Sequence, residues 1–199
     1  LLAYTYDTNG IKPSTPNIVN YIDTVQIKSD ILAARQMKPD AIIACMHWGL
    51  EYHSLPNSSQ KKLADWLIDQ GVDHVIGSHP HVVQPMEVRP SQHHPSQHLI
   101  VYSLGNFISN MSKENTDGGA MVKLELKKLW GITRMEDCSY SLVWTSRPIL
   151  SKKKNFEVYP SSFITKPIKN EEFTPFKRFL DNTRTLYNKH NKGIKEYFF

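Results

Sequence analysis

The feature that most constrains the fold of this chain is an alternation of helix and strand signals between residues 30 and 77. A helical run ends before Pro39, and the apolar run 41–46 that follows is too short for a typical helix. A second helical run ends at Gly71 and leads into a short strand, 72–77. The candidate N-caps of the two helices are Ser29 or Asp30 and Ser58 or Ser59. This order predicts an α/β fold with a parallel sheet.

The remainder of the chain changes in character, because strand-like runs follow one another without helices between them. The predicted strands are 86–88, 98–104, 120–126 and 140–144, with an earlier one at 1–6. A last helix is predicted from Thr174 as cap and Pro175 as first helical residue. We divide the chain into a body, 1–150, and an irregular extension with an amphipathic helix packing on it, 151–199.

Composition excludes several classes of protein. Hydrophobic residues make up 40% and charged residues 22% of the 199 residues, which is ordinary globular usage and argues against disorder. The net charge of +5 is mild, so no nucleic-acid partner is expected. The two cysteines exclude a disulfide scaffold, and no apolar run reaches the roughly 18–20 residues that span a bilayer.

Three histidines directly follow the two predicted parallel strands. His47 follows the first strand, and His79 and His81 follow the second, separated by Pro80. Carboxyl ends of neighbouring parallel strands share one edge of a sheet, so the two loops should meet there. Neutral imidazole coordinates divalent metals readily, and the proline stiffens the second loop. The sequence therefore predicts a metal site at this edge.

Other polar residues near these loops allow more than one interpretation. Glu51 either orients a metal ligand or forms a surface ion pair. The near-duplicated polar stretch 90–98 also contains histidines, which we expect to be solvated and to bind no metal: His93, His94 and His98. The histidines given no role are His53, His74 and His190.

Four motifs in a fixed order point to a known family. They are His47-Trp48-Gly49-Leu50-Glu51-Tyr52, Gly77-Ser78-His79-Pro80-His81-Val82, Gln84-Pro85 and Tyr102-Ser103-Leu104-Gly105-Asn106-Phe107. Together they closely resemble the CapA-like bacterial capsule synthesis family, which serves poly-γ-glutamate capsule biosynthesis. The resemblance covers roughly residues 1–125.

This resemblance implies a metallophosphoesterase-like β-sandwich flanked by helices, with a two-metal site at the strand ends. It implies that His47, His79 and His81 bind divalent metal ions such as Mn, Fe or Zn. Glu51 matches a family position, so we carry it as a candidate catalytic residue. Asn106 is a second candidate that lines the site, although a Gly-Asn pair also suits a tight turn.

The chain also departs from the superfamily pattern. An early Gly-Asp and an Asn-His, which supply a bridging carboxylate and further ligands, do not occur in the 199 residues. We therefore expect a carboxyl-terminal portion of a longer protein, with the amino-terminal part of the fold missing. Imidazoles without an anionic bridge should hold two cations poorly, so we expect weak metal occupancy and no hydrolysis from this chain alone.

The resemblance implies a role in capsule assembly. The full-length protein would be a metal-dependent hydrolase acting on an anionic capsule polymer, poly-γ-glutamate or a polysaccharide, or on its precursor. The alternative is a non-enzymatic assembly subunit that binds the polymer. Both would work at the bacterial cell envelope outside the cytoplasm, alongside envelope assembly proteins, with membrane contact only through an anchor absent from this chain.

Overall fold

The computed structural model describes residues 1–91, 96–162 and 168–198, which form a mixed α/β fold. The first sheet contains β1 (Leu2–Thr5), β2 (Ile43–His47), β3 (His74–Ser78), β4 (Val83–Pro90) and β5 (Gln97–Leu104). Their order is β1-β2-β3-β5-β4. The first four strands in that order are parallel, whereas β4 pairs antiparallel with β5 at the edge. The predicted α/β class and parallel strand pairing are confirmed.

A second sheet follows along the chain. It contains β6 (Gly118–Leu129), β7 (Ile132–Ser146), β8 (Glu157–Pro160) and the two-residue β9 (Lys195–Glu196). The long strand β7 pairs antiparallel with β6 and β8 and parallel with β9. The sheet therefore gathers residues from both parts of the sequence division, 1–150 and 151–199.

Helices begin at different residues from those that the sequence predicted. They are α1 (Thr24–Gln36), α2 (Ser58–Gln70), the short α3 (Pro148–Ser151) and α4 (Asn170–His190). The cap of α1 is Asp23, because its carboxylate accepts bonds from the first-turn amides of Val25 and Gln26. Asn57 caps α2, and α4 begins at Asn170, so Pro175 lies inside it. The caps predicted at Ser29 or Asp30, Ser58 or Ser59, and Thr174 were wrong.

Hydrophobic side chains divide into two clusters on opposite faces of the first sheet. Ile100 and Tyr102 of β5 point into the cluster under α1 and α2. Leu99 and Val101 point into the other cluster, which the second sheet and α4 complete. This alternation follows from the two-residue period of a strand, and it gives a layered arrangement. In the described ranges no helix combines the length and apolar character needed to cross a bilayer.

Two histidines of the first sheet are structural. His98 was predicted to be solvated, but it lies half-buried in β5 with its Nδ1 3.0 Å from the carbonyl oxygen of Asp73. His74 is buried, and its Nδ1 accepts a bond from the amide of Leu99 at 3.1 Å. His93 and His94 of the same predicted loop lie outside the described residues.

Burial makes His74 a determinant of how stability depends on pH. Burial lowers the pKa of His74 to about 4. The unfolded chain binds this proton near the ordinary pKa of about 6.5, so stability falls as pH drops from that value to about 4. Over this pH range, protonation of His74 in the unfolded chain lowers the free energy of unfolding by about 3 kcal/mol. Asn at this position keeps an acceptor for the Leu99 amide but does not titrate.

We therefore expect His74→Asn to lose less stability than the native chain between pH 7 and pH 4.5. Urea unfolding at both pH values measures the difference. His190→Asn, which alters a half-exposed histidine, is the matched control and should keep the native pH dependence. Parallel pH profiles for His74→Asn and the native chain would contradict this assignment.

Candidate metal centre

The candidate site lies where the first three strands end. The register pairs His47 of β2 with Ser78 of β3, so both strands finish at the same level. The amide of Tyr6, which follows β1, donates to the carbonyl oxygen of His47 at 3.0 Å. Loops after three neighbouring strands therefore start side by side at one edge of the sheet.

The histidines of the two loops lie together at this edge. The ring centroids of His47 and His79 are 4.7 Å apart, and those of His79 and His81 are 6.0 Å apart. Glu51, His79 and His81 each offer one ligand atom, and these atoms all lie within 4.8 Å of one another. Two imidazoles and a carboxylate therefore converge on one small volume.

His47 stands beside this convergent group. Its Nδ1 lies 3.3 Å from the hydroxyl oxygen of Ser78. Its ring is nearly parallel to that of Tyr6, with an interplanar angle of 7° and 6.1 Å between centroids. Tyr6 also contacts His79, with 4.4 Å between centroids. Sequence reasoning missed Tyr6, because the predicted strand 1–6 included it, whereas in the structure β1 ends at Thr5 and Tyr6 follows it.

The backbone of the two loops adopts left-handed conformations at non-glycine residues. The φ angles are 66° at Tyr52, 101° at His79 and 61° at His81. Such conformations cost about 1–3 kcal/mol each and persist only where surrounding contacts impose them. One such contact joins the loops directly, because the amide of Tyr52 donates to the carbonyl oxygen of Pro80 at 2.8 Å. The loops hold each other in the conformation that directs the imidazoles together.

The electrostatic environment favours neutral imidazoles. Partial desolvation lowers the pKa of His47, and the neighbouring His81 lowers it further. Desolvation also lowers the pKa of His79, reinforced by His47 and opposed by the carboxylate of Glu51. A neutral ring keeps a nitrogen lone pair available, so both side chains are suited to bind a cation at neutral pH.

Asn106 orients His81. Its side-chain amide donates to the carbonyl oxygen of Thr116 at 2.8 Å, so its oxygen faces the Nδ1 of His81 at 3.2 Å. This oxygen can only accept, which places the imidazole proton on Nδ1 and leaves the lone pair on Nε2. That Nε2 lies 3.6 Å from a carboxylate oxygen of Glu51. The hydrogen bonds of Asn106 therefore hold the His81 ring in one orientation.

Trp48 anchors the loop that begins at His47. Its indole is buried, and its N–H donates to the carbonyl oxygen of Tyr102 at 2.9 Å, across β3. The crossing requires glycine at position 77, since a Cβ there would lie 2.1 Å from the carbonyl oxygen of Tyr102 and 2.5 Å from the indole nitrogen. The first and second motifs of the sequence therefore depend on each other through packing.

A buried chain of hydrogen bonds supports the same loop from below. Gln60 of α2 accepts from the amide of Asn57 and donates to the side-chain oxygen of Gln84 at 2.8 Å. Gln84 in turn donates to the carbonyl oxygen of His53 at 2.7 Å. Both glutamines are almost completely buried, so each polar group depends on these partners. The third motif of the sequence, Gln84-Pro85, contributes this link.

A cleft of about 400 Å³ opens next to the histidines. Tyr52 lies between the cleft and the histidines, because its ring lines the cleft and its centroid is 6.0 Å from that of the His81 ring. The ammonium of Lys113 lies 3.6 Å from the centroid of the Tyr52 ring. Lys189 and His190, at the end of α4, also line the cleft, as does Glu114. Two lysines and one carboxylate therefore line a cleft that adjoins the candidate metal ligands.

Comparison with known proteins places the chain among capsule proteins. Residues 2–111 match the family described as Bacterial capsule synthesis protein PGA_cap. The chain is 33% identical over 122 residues to the PGA biosynthesis protein CapA of Bacillus subtilis (strain 168), which covers 61% of this chain and 28% of that protein. It is 36% identical over 88 residues to the Capsule biosynthesis protein CapA of Bacillus anthracis, covering 44% and 20% respectively. The matched stretch spans less than a third of either relative.

The buried glutamine chain generates a stability prediction. Gln84→Leu leaves the Gln60 amide and the His53 carbonyl without partners in a buried region. We expect a loss of about 2–4 kcal/mol in the free energy of unfolding, because each orphaned group costs about 1–3 kcal/mol. Urea denaturation measures this loss. Gln26→Leu, on an exposed face of α1, is the matched control. An equal loss in both variants would show that the buried hydrogen bonds of Gln84 do not stabilise the loop.

Proposed function

The chain belongs to the bacterial capsule synthesis protein family, and from this premise we propose that its histidine–glutamate site binds a divalent metal ion and acts on an anionic capsule polymer. The observation that carries the proposal is the convergence of Glu51, His79 and His81 within 4.8 Å. Two imidazole nitrogens and one carboxylate oxygen form a donor set that Zn, Mn and Fe ions accept. A bound cation would supply Lewis-acid polarisation of an anionic group.

The residues around the site each have a proposed part. His79 and His81 would hold the cation together with Glu51, which makes Glu51 a ligand rather than an isolated surface charge. Asn106 keeps the lone pair of His81 directed at that position through its bond to Nδ1. His47, adjacent to His79, supplies a third imidazole that would extend the site toward a second ion, as the family resemblance implies.

The layered arrangement of the two sheets supports the metallophosphoesterase-like sandwich implied by the resemblance. The first sheet carries α1 and α2 on one face and meets the second sheet and α4 on the other. A ligand site at the strand ends of such a body is open to solvent, because His47 and Glu51 are exposed. We propose a hydrolase-like reaction for the full-length protein at the cell envelope, outside the cytoplasm.

The cleft beside Tyr52 supports the choice of substrate class. Lys113 and Lys189 direct two cations into it, and neither forms an ion pair within the described ranges. The carboxylate of Glu114 is also present but bonds to the amide of Asn182. A chain of carboxylates or other anions could therefore run from the cleft to the metal ligands, with successive charges neutralised along it.

A polymer-binding subunit without hydrolytic activity is the second candidate. The convergent group contains a single carboxylate, and within the described residues no second group of this kind occurs. A pair of metal ions usually requires an anionic bridge to offset their mutual repulsion, so this arrangement favours one ion or weak binding of two. Polymer binding without cleavage by the full-length protein would favour this candidate.

Metal binding tests the site directly. Equilibrium dialysis with Mn²⁺ or Zn²⁺, taken to high concentration because three ligands bind weakly, should show metal bound to the native chain. His79→Ala removes a buried ligand, and Asn106→Ala removes the group that orients another. We expect both variants to bind at least about tenfold more weakly, as is usual when a ligand or its hydrogen-bond partner is removed.

His53→Ala is the matched control, because this exposed histidine lies two residues from Glu51 but outside the convergent group. Its metal affinity should equal that of the native chain. Native affinity in His79→Ala would exclude the proposed site, whereas a loss in His79→Ala alone would leave the ligand set intact and remove the role of Asn106.

Polymer binding tests the substrate class separately. A fluorescent polyglutamate oligomer should bind the chain, with affinity falling as salt rises. Lys113→Gln and Lys189→Gln should each weaken binding about fivefold, the effect of losing about 1 kcal/mol from a solvent-exposed charge contact. Lys28→Gln on α1 keeps the same net charge as these variants and should bind as the native chain does. Equal losses in all three would indicate a nonspecific charge effect.

A further inference from the structure

A long hairpin formed by β6 and β7 ends in an apolar tip. The hairpin tip comprises Leu129, Trp130, Gly131 and Ile132. Trp130 is 99% exposed, Leu129 is 55% exposed and Ile132 is 47% exposed. Contiguous exposed apolar residues of this kind often mark a binding surface. The site described above does not use this feature.

The turn itself gives no folding reason for tryptophan. Trp130 and Gly131 have φ angles of 53° and 80°, so both central residues of the two-residue turn are left-handed. This turn prefers Asn-Gly or Asp-Gly, since a bulky residue is strained in the left-handed region. Tryptophan at this position therefore carries a conformational cost and also exposes its whole ring to water.

Basic residues occupy the strand positions that adjoin the hairpin tip. Lys127 pairs with Arg134 across the two strands, on the same face as the pair Leu129 and Ile132. Like charges directly opposite each other are destabilising. The nine residues 126–134 contain three basic residues and no acidic one. One face of the hairpin therefore presents apolar side chains at its end and a pair of cations one step further back.

The ion pairs that these cations form are weak. Lys127 contacts Glu136 at 2.9 Å, and Lys128 contacts Asp40, but in both pairs half or more of each side chain is exposed. Exposed pairs contribute little to stability, so an anionic surface can replace the carboxylate partner at little cost. Arg134 makes no ion pair with any residue in the described ranges.

We propose that the hairpin tip inserts into the headgroup region of an anionic lipid bilayer. Stable protein interfaces bury about 1,200–2,000 Å² in total, which is far more than the four residues of the hairpin tip can offer. A bilayer requires only a few apolar side chains ahead of cations, and tryptophan favours the interface between water and acyl chains. The hairpin matches these requirements in residue type and order.

The adjoining loop between α1 and β2 enlarges the contact. Asp40 joins this loop to the hairpin through Lys128 and Thr133. Met37, in the same loop, is 84% exposed and precedes Lys38. Asp40 lies before the first residue of β2, whereas His47 is the last residue of that strand. The bilayer contact and the candidate metal centre thus occupy opposite ends of the sheet, and the metal ligands face away from the lipid.

Vesicle binding of the full chain tests the proposal independently of metal or polymer binding. Vesicles of equal parts phosphatidylglycerol and phosphatidylcholine should bind the chain at low salt, with a blue shift in tryptophan fluorescence. Trp48 and Trp144 are buried and Trp66 is half-buried, so Trp130, which is 99% exposed, is the tryptophan most able to change environment. Trp130→Asn creates the preferred Asn-Gly turn and so preserves the hairpin, but it should bind about tenfold more weakly because it loses apolar burial.

Charge and control variants complete the test. Lys127→Gln and Arg134→Gln should each weaken binding about fivefold, as expected for one cation near an anionic membrane surface. Ile18→Asn changes another strongly exposed apolar residue, 87% exposed, and should bind as the native chain does. The proposal is overturned if the chain does not bind these vesicles, or if Trp130→Asn binds as well as the native chain. It is also overturned if Trp130→Asn abolishes a concentration-dependent dimer, which would assign the tip to a second copy.

Discussion

The parallel pairing of β2 and β3 is the constraint on which the candidate site depends. Because His47 is in register with Ser78, the loops that follow the two strands start at the same level and must share the space above the sheet edge. The group needs both loops, since His79 and His81 follow β3, whereas His47 is the last residue of β2 and Glu51 lies in the loop after it. A register shift of one residue would rotate His47 to the other face of the sheet. The convergence of ligand atoms is therefore a consequence of strand pairing.

Maintaining that convergence requires several kinds of support. Left-handed backbone at His79 and His81 is unfavourable, and it is retained because the loops bond to each other and to buried groups beneath them. Gly77 contributes by its lack of a side chain, which lets the Trp48 indole reach Tyr102 across β3. The sequence motifs therefore contain two kinds of residue: the candidate ligands, and the residues that hold the candidate ligands in place.

The molecule has two chemically different ends. At one end, two imidazoles and a carboxylate adjoin a cleft that Lys113 and Lys189 line, and the proposed binding of a cation and an anionic polymer rests on this arrangement. At the other end, the hairpin formed by β6 and β7 presents Trp130 to solvent with cations behind it. Because the sheet separates the two, contact of the hairpin with a surface would leave the cleft open to solvent. The two proposals are thus geometrically compatible although each rests on separate observations.

Sequence alone determined the α/β class, the parallel strands and the position of His47, His79 and His81 at or just beyond the carboxyl ends of those strands, because hydrophobic period and chain order are local properties. It placed the start of α1 several residues too late, since the capping role of Asp23 depends on its backbone conformation. Only the tertiary structure decided that Glu51 joins the histidines, that Tyr6 contacts them and that His98 is half-buried. The physical reason is that these contacts join residues distant in sequence through strand pairing and left-handed loop conformations, which residue patterns do not encode.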